Sequence, residues 1–188
     1  MLSPHIITTV NQKVLSFLTK FSDEEFYERQ VARSLDIAYG SANRSLNQLY
    51  STATVKRRQE GKMFFYSIDT SNPSVIEFKK LVNLLLLEPL AESLQQVASR
   101  IVLYGSCAQG TDTSQSDVDL FVVTSNKENA ADIVSGFKLP KGYENLRIQP
   151  VIKTPVELLQ AGESEKAFLE EVERGIVLWE KAASESRL

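Results

Sequence analysis

Apolar residues near the start of the chain recur at the spacing of two helices. In residues 11–21 the apolar side chains fall on one side of a predicted helix, at Val14, Leu15, Leu18 and Phe21. Ser22, followed three residues later by Glu25, forms the pattern of a capping box. We therefore expect a second helix to begin at Ser22 and to continue to about Asp36.

Residues 37–40 interrupt this pattern, and a third helix is predicted over residues 41–53. Its inward positions are Leu46, Leu49 and Tyr50. In residues 55–69 two β-prone arms flank a turn of sequence QEGK, which is typical of a tight hairpin with glycine at the turn. The front of the chain is thus predicted to contain three helices followed by a hairpin.

A long helical stretch follows the boundary at Asn72-Pro73. We predict a connecting helix over residues 73–99, interrupted near Pro89. Its apolar stripe consists of Val75, Phe78, Leu81, Val82, Leu85 and Leu86. So dense a stripe indicates packing, either between two modules or across a homodimer.

From Arg100 the pattern changes to an alternation of strands and helices. Strands are predicted at residues 101–106, 116–124 and 145–154, and a helix at residues 128–137. Thr154, Pro155 and Glu157 form a capping box with proline at the first helical position, so a helical tail is expected from Pro155. This order predicts a small α/β or α+β domain over residues 100–182.

The composition is typical of a folded, water-soluble protein. The 188 residues are 43% hydrophobic and 24% charged, which suits one ordinary domain or two small ones. The single cysteine, Cys107, cannot form an intramolecular disulfide, and no Cys/His cluster indicates zinc. Because the N-terminus also lacks a basic and apolar leader, we expect a reducing, cytoplasmic location.

Basic residues concentrate in the predicted third helix and hairpin. Residues 41–62 carry five basic side chains and one acidic one, an excess that suits contact with phosphates. With three helices and a hairpin, residues 9–72 resemble a winged helix-turn-helix. That resemblance implies DNA contacts, with the third helix in the major groove and the hairpin along the backbone. The implied DNA-binding residues are Asn43, Arg44, Asn47, Gln48, Lys56, Arg57, Arg58 and Lys62. The alternative is a winged helix used only for dimerisation or protein contact.

Two aspartates separated by one residue stand on the second strand predicted after Arg100. Because strand side chains alternate, Asp117 and Asp119 point to the same face, with β-carbons roughly 6–7 Å apart. Two carboxylates on one face suit Mg²⁺, which completes its shell with waters and substrate phosphates. Ahead of them, Gly105-Ser106 follows an apolar strand, where glycine lets backbone amides and the serine hydroxyl approach a triphosphate.

The run GSCAQGTDTSQSDVDL, residues 105–120, resembles the pattern GSxARGxxxxxSDxDL of minimal nucleotidyltransferases of the DNA polymerase beta superfamily. The resemblance covers about residues 88–182 and implies a polymerase-beta-like domain, a mixed sheet with helices. The whole chain is then α+β, with the winged helix-turn-helix first. The residues implied to bind NTP are Gly105, Ser106, Gly110 and Ser116. The implied catalytic residues and Mg²⁺ ligands are Asp117 and Asp119.

Two positions depart from the family pattern. Gln109 stands where the family usually has arginine, which removes a cation beside the phosphates. Gln149 is the best-aligned position for a third acidic residue that active members place on the later strand. A glutamine cannot take up a proton, so whether the chain is an enzyme stays open at this point.

Two functions therefore compete. As an enzyme, the chain moves an NMP group from Mg-NTP to a hydroxyl on a protein, nucleic acid or small molecule, coupled to a DNA-binding winged helix. As a transcriptional regulator or antitoxin-like protein, it binds DNA while a catalytically degenerate domain senses nucleotide or holds a toxin-like protein partner. Gln149 favours the second function, and the intact run from Gly105 to Leu120 favours the first.

Overall fold

The computed structural model describes residues 6–140, 143–144 and 146–182. The chain divides into two compact units. We call residues 1–86, 110–116 and 139–146 the N-terminal unit, and residues 87–109, 117–138 and 147–188 the C-terminal unit. Two short segments from the later part of the chain therefore belong to the N-terminal unit.

The N-terminal unit contains helices, a short strand and a hairpin. Its elements are α1 (Val10–Lys20), β1 (Phe26–Tyr27), α2 (Glu28–Leu35), α3 (Tyr39–Ser51), β2 (Val55–Glu60), β3 (Met63–Ile68) and most of α4 (Pro73–Leu94). The strands form an antiparallel sheet in the order β1-β3-β2. Three helices followed by a hairpin are thus present in the predicted order, with Gly61 at φ +60° in the turn.

The predicted start of the second helix is wrong. Phe26 and Tyr27 pair with β3, and α2 begins only at Glu28. Ser22 caps no helix, because its hydroxyl donates to the backbone carbonyl of Asp112, while Glu25 binds Arg58. Both side chains of the expected capping box therefore bind residues that are distant in sequence. The third helix also begins earlier than predicted, at Tyr39.

The middle helix α4 is continuous, and the predicted interruption near Pro89 is wrong. Pro89 lies inside the helix on an exposed side, while Leu86, Leu87 and Leu90 around it are buried. Packing of these leucines compensates for the backbone hydrogen bond that proline cannot donate. The helix ends at Leu94 rather than Ser99, and Leu81 of the predicted stripe is exposed. Within the described residues, no helix is both long and apolar enough to cross a membrane.

The C-terminal unit is a four-stranded mixed sheet with helices. Its elements, after the end of α4, are β4 (Ala98–Tyr104), α5 (Gly105–Gln109), β5 (Val118–Thr124), α6 (Lys127–Gly136), β6 (Ile148–Lys153), α7 (Pro155–Leu159), α8 (Glu163–Glu173) and β7 (Ile176–Glu180). The strand order is β6-β5-β4-β7, in which only β5 and β6 are parallel. The predicted mixed sheet is confirmed, as is the capping box of Thr154 and Glu157 at the start of α7.

Apolar packing fixes where the last helix lies in this unit. Phe168 of α8 packs edge-on against Tyr104 at the end of β4, with ring centroids 5.6 Å apart, and against Phe121 of β5 at 5.9 Å. Val102 and Val123 complete this core cluster together with Val172. The C-terminal half of α8 thereby packs against β4 and β5 of the same sheet.

Candidate active site

Three neighbouring strands bring the predicted carboxylates together. Asp119 is the second residue of β5 and lies opposite Tyr104 on β4 and beside Gln149 on β6. Asp117 directly precedes β5, and its Oδ2 accepts a hydrogen bond from the side-chain amide of Gln149. Val118 between the two aspartates is buried, as the alternation of a strand requires. The two aspartates therefore lie on one face, with a glutamine next to them.

A glycine turn meets these carboxylates. Gly105 begins α5 directly after β4, with φ +67°. A Cβ at this position would lie 2.5 Å from Oδ2 of Asp119, so only glycine lets the turn and the carboxylate approach this closely. The buried thiol of Cys107 contacts the backbone carbonyl of Asp117 at 3.5 Å, which holds α5 against the start of β5.

The carboxylate pair is electrostatically unbalanced. Burial raises the pKa of Asp119 above its usual value, and the carboxylates of Asp117 and Glu171 raise it further. Burial also raises the pKa of the Tyr104 hydroxyl, and the carboxylates of Asp119 and Glu171 raise it further. In the described part of the chain, neither Asp117 nor Asp119 forms an ion pair with a lysine or arginine. The two carboxylates therefore form an anionic pair that a cation would stabilise.

The side chains that could bind a metal here suit Mg²⁺, which keeps several waters, better than a metal bound by protein ligands alone. The two carboxylates and the neighbouring amide are hard oxygen donors, the type that Mg²⁺ prefers. No group of three acidic, histidine or cysteine side chains that could hold a metal occurs among the described residues. Magnesium held by Asp117 and Asp119 would thus share its shell with waters and substrate phosphates.

A cavity of about 360 Å³ adjoins the glycine turn. It is lined by Gly105, Ala108, Gln109, Ala167, Glu170, Glu171, Arg174 and Gly175. Arg174 is the one cation among these lining residues, and Gln109, which also lines the cavity, carries no charge. Sequence reasoning missed Glu171 and Arg174, because nothing in the pattern of α8 places it beside a turn more than sixty residues earlier.

The four predicted nucleotide-binding residues fall into both units. Gly105 and Ser106 belong to the C-terminal unit, as do Asp117 and Asp119. Gly110 belongs to the N-terminal unit, is buried at φ +71°, and has no room for a Cβ, which would lie 2.7 Å from the backbone carbonyl of Ile76. Ser116, also of the N-terminal unit, accepts a hydrogen bond from the backbone of Thr113 (2.9 Å). Binding of nucleotide by these residues stays a prediction.

Most cationic side chains predicted to contact DNA already have partners within the N-terminal unit. Arg58 binds Glu25 at 2.7 Å and Glu60 at 2.6 Å, and these carboxylates raise its pKa. Lys56 binds Asp69, whose pKa the Ser71 hydroxyl and Lys56 lower to about 2. Arg57 stacks between the rings of Tyr50 and Phe64, at 4.1 and 4.5 Å from their centroids. Two of the four hairpin cations, Lys56 and Arg58, are thereby paired with carboxylates.

The predicted base-reading side chains of α3 are also engaged. Asn43 donates to Glu28 and Asn47 to the backbone of Asn43, while Gln48 accepts from Asn11. Arg44 and Lys62 are exposed, and neither forms an ion pair or side-chain hydrogen bond with the residues that the structure describes. These two are the cations best placed for an external anion, and DNA binding stays a prediction.

Comparison with known proteins places the chain in a family. The family model described as Polymerase beta, Nucleotidyltransferase matches residues 87–184, just over half of the 188 residues. The chain therefore belongs to the polymerase beta nucleotidyltransferases. The match covers the sheet, the glycine turn and both aspartates, so the carboxylate site lies in the part of the chain that defines the family.

Other comparisons add little. A candidate nucleotidyltransferase from Sulfolobus solfataricus, known from a crystal structure at 1.40 Å, is 16% identical and superposes with a TM-score of 0.38. That overlap covers 60% of this chain and 94% of the archaeal one, and it is too weak to carry an argument. No curated protein sequence matches the chain significantly.

Proposed function

We propose that this chain transfers an NMP group from Mg-NTP to a hydroxyl acceptor on a protein, nucleic acid or small molecule. The observation that carries the proposal is the uncompensated pair Asp117 and Asp119 at the glycine turn of Gly105. A structural pair would have a cationic partner, whereas these carboxylates have acidic neighbours. The family assignment supports the same reaction class.

Each residue has a defined part in this proposal. Asp117 and Asp119 would hold Mg²⁺, which would supply positive charge to the phosphates while the acceptor hydroxyl, losing its proton to water, attacks the α-phosphorus in line and pyrophosphate leaves. Gly105 lets the turn approach both the phosphates and Asp119, and Ser106 donates its hydroxyl to a phosphate oxygen. Gln149 orients Asp117 through its amide and cannot accept the proton of the attacking hydroxyl. We therefore expect slower transfer than with a carboxylate at this position.

The test is magnesium-dependent incorporation of label from each α-labelled NTP into candidate acceptors. The wild-type chain should transfer label, and the variant Asp117→Asn/Asp119→Asn should lose roughly 10³-fold in rate, about 4 kcal/mol of transition-state stabilisation. Asp132→Asn, which changes an exposed aspartate of α6 in the same unit, is the matched control and should behave as wild type. Equal rates in all three proteins would contradict the proposal.

A further variant separates the enzyme from the regulator. Gln149→Asp restores an acidic residue beside Asp117. If wild type binds Mg-NTP without transferring label, and only Gln149→Asp transfers it, then the chain senses nucleotide and glutamine is the inactivating change. Transfer of label by wild type supports the enzyme, whether or not Gln149→Asp also transfers it.

DNA binding by the N-terminal unit is the second candidate function, favoured by the exposed cations Arg44 and Lys62. Each variant Arg44→Ala and Lys62→Ala should weaken binding to duplex DNA and reduce the salt slope by about one. Arg58→Ala is the matched comparison and should change affinity less, because Glu25 and Glu60 already neutralise this guanidinium. Equal losses in all three, or no binding by wild type in low salt, would overturn this candidate.

A further inference from the structure

The first helix carries a buried polar face that the predicted packing of α1 does not explain. Ser16 and Lys20 are four residues apart, so both lie on the same side of α1. Their exposed fractions are 2% and 1%. Burial of a lysine is unfavourable unless a partner compensates its charge, so this face must serve a specific contact.

Lys20 finds its partner in the segment 110–116, which belongs to the same unit. Its Nζ lies 2.9 Å from Oδ2 of Asp112, and both side chains are almost wholly buried. Asn83 of α4 donates to Oδ1 at 3.0 Å, and Lys79 lies 3.6 Å from the same oxygen. The side chain of Asp112 is thus held from two helices.

The backbone of the segment is held as well. The carbonyl oxygen of Asp112 accepts hydrogen bonds from Lys79 and from the Ser22 hydroxyl, the latter at 3.2 Å. Two residues later, Asp23 accepts from both the backbone N–H and the hydroxyl of Ser114, each at 3.0 Å. A segment with its main chain fixed at two successive points has little freedom to move.

A second segment of the N-terminal unit contacts the same face of α1. The hydroxyl of Ser16 lies 3.1 Å from the hydroxyl of Tyr143, which belongs to residues 139–146. Residues 110–116 lead directly into Asp117, and residues 139–146 lead into β6, which carries Gln149. Lys20 and Ser16 of α1 therefore contact Asp112 and Tyr143, which precede in the chain the two strands of the carboxylate site, β5 and β6.

We propose that Lys20 is a positioning residue for nucleotidyl transfer: by holding Asp112, it fixes the segment 110–116 and so the place at which Asp117 begins β5. Ser16 and Asp23 act in the same way through Tyr143 and Ser114. The inference rests on the proposed function for its catalytic consequence.

An ion pair of this kind is better suited to fixing position than to adding stability. Buried pairs recover little more than the cost of removing two charges from water, and apolar residues of the same size commonly stabilise a fold as well. Apolar residues cannot define a direction in this way. A carboxylate that accepts hydrogen bonds from Lys20 and Asn83, with Lys79 nearby, has one preferred location. Catalysis by two carboxylates is sensitive to such placement, since a shift of about 1 Å changes rates by up to about 100-fold.

The experiment uses the full chain and measures two quantities in each variant, well below its melting temperature. The first is the dissociation constant of a non-hydrolysable Mg-NTP analogue. The second is hydrogen exchange of the Val118 amide, which donates to the Arg147 carbonyl at 2.8 Å directly after Asp117. Lys20→Met should raise the dissociation constant about tenfold or more and accelerate exchange at Val118 by a similar factor.

A second variant keeps the test decisive if Lys20→Met does not fold. Asp23→Ala removes both bonds to Ser114 from a site near the surface, and we expect a several-fold rise in the dissociation constant with faster exchange at Val118. Glu24→Ala changes the neighbouring exposed carboxylate and is the matched control, expected to match wild type in both readouts.

The outcomes separate this inference from the proposed function. A lower melting temperature with wild-type affinity and wild-type exchange at Val118 would overturn the positioning role and leave the enzyme standing. Faster exchange at Val118 in Lys20→Met and Asp23→Ala, with no Mg-NTP binding by wild type, would support positioning and contradict the proposed function.

Discussion

Asp112 has an environment opposite to that of Asp117 and Asp119, although the three residues lie within eight positions of the chain. Asp112 is fully buried, yet Lys20, Lys79 and Asn83 surround its carboxylate. Asp117 and Asp119 are only partly buried, have no ion-pair partner among the described residues, and lie beside each other. The N-terminal unit therefore compensates its aspartate completely, and the C-terminal unit leaves its own pair uncompensated.

This difference distinguishes charges that stabilise the fold from charges that are available to bind a ligand. A compensated buried carboxylate costs the fold little once its partners are in place, and it fixes a loop. An uncompensated pair opposes folding and persists only where another requirement maintains it, such as the binding of a metal and phosphates. Substitution of asparagine for aspartate should therefore change stability with opposite signs in the two regions.

The largest effect is expected at the compensated aspartate. Asp112→Asn keeps the shape of the side chain but leaves Lys20 buried without its counter-charge. We expect the free energy of unfolding to fall by about 3–5 kcal/mol, measured by urea denaturation. Asp132→Asn on the surface should change it by less than about 0.5 kcal/mol. A loss at Asp112 as small as the control would show that the lysines find other partners.

The glycine turn gives the next largest effect. Gly105→Ala places a Cβ at φ +67° and 2.5 Å from Oδ2 of Asp119, so the backbone strain of about 1–2 kcal/mol adds to a displaced carboxylate. We expect weaker Mg-NTP binding and a lower melting temperature. Gly136→Ala is the matched control, because a Cβ there meets no atom within 4 Å. Unchanged Mg-NTP affinity in Gly105→Ala would contradict a close approach of turn and carboxylate.

The uncompensated pair should show the opposite sign from Asp112. The pKa of Asp119 is raised in the folded chain, so its ionised form opposes folding at every pH above that value. Asp119→Asn should raise the free energy of unfolding of the metal-free protein by roughly 0.5 kcal/mol, the size of one repulsive pair on a sheet. Added Mg²⁺ should stabilise wild type and not this variant. Destabilisation by Asp119→Asn without metal would show that the charge of Asp119 does not oppose folding.

The smallest effect concerns the pH dependence of the loop contact at Asp23. Burial opposes its ionisation, but the N–H and hydroxyl of Ser114 outweigh it and lower the pKa of Asp23 below its usual value. The unfolded chain thus binds this proton first as the pH falls. The contribution of Asp23 is fully present above about pH 4 and is lost as the pH falls through its folded pKa. The Ser114 amide shift, followed by NMR, should titrate in that range, and in Asp23→Asn it should not.

Local sequence signals predicted much of the fold. The alternation after Arg100, the hairpin turn at Gly61 and the capping box at Thr154 depend on neighbours within a few residues, and all are present. The capping box at Ser22 failed because its hydroxyl and the carboxylate of Glu25 found distant partners, Asp112 and Arg58. The break at Pro89 failed because burial of surrounding leucines outweighed one lost hydrogen bond.

The family pattern, the aspartates on one face of a strand and the glycine before them could be predicted from local patterns, because strand periodicity and glycine conformation are local properties. Which charges are compensated depends instead on contacts between residues distant in sequence. The pairing of Lys20 with Asp112 spans 92 positions, and the closeness of Glu171 to Asp119 depends on how α8 packs. Electrostatic energy depends on distance in space and on burial, and the spacing of residues along a chain predicts neither.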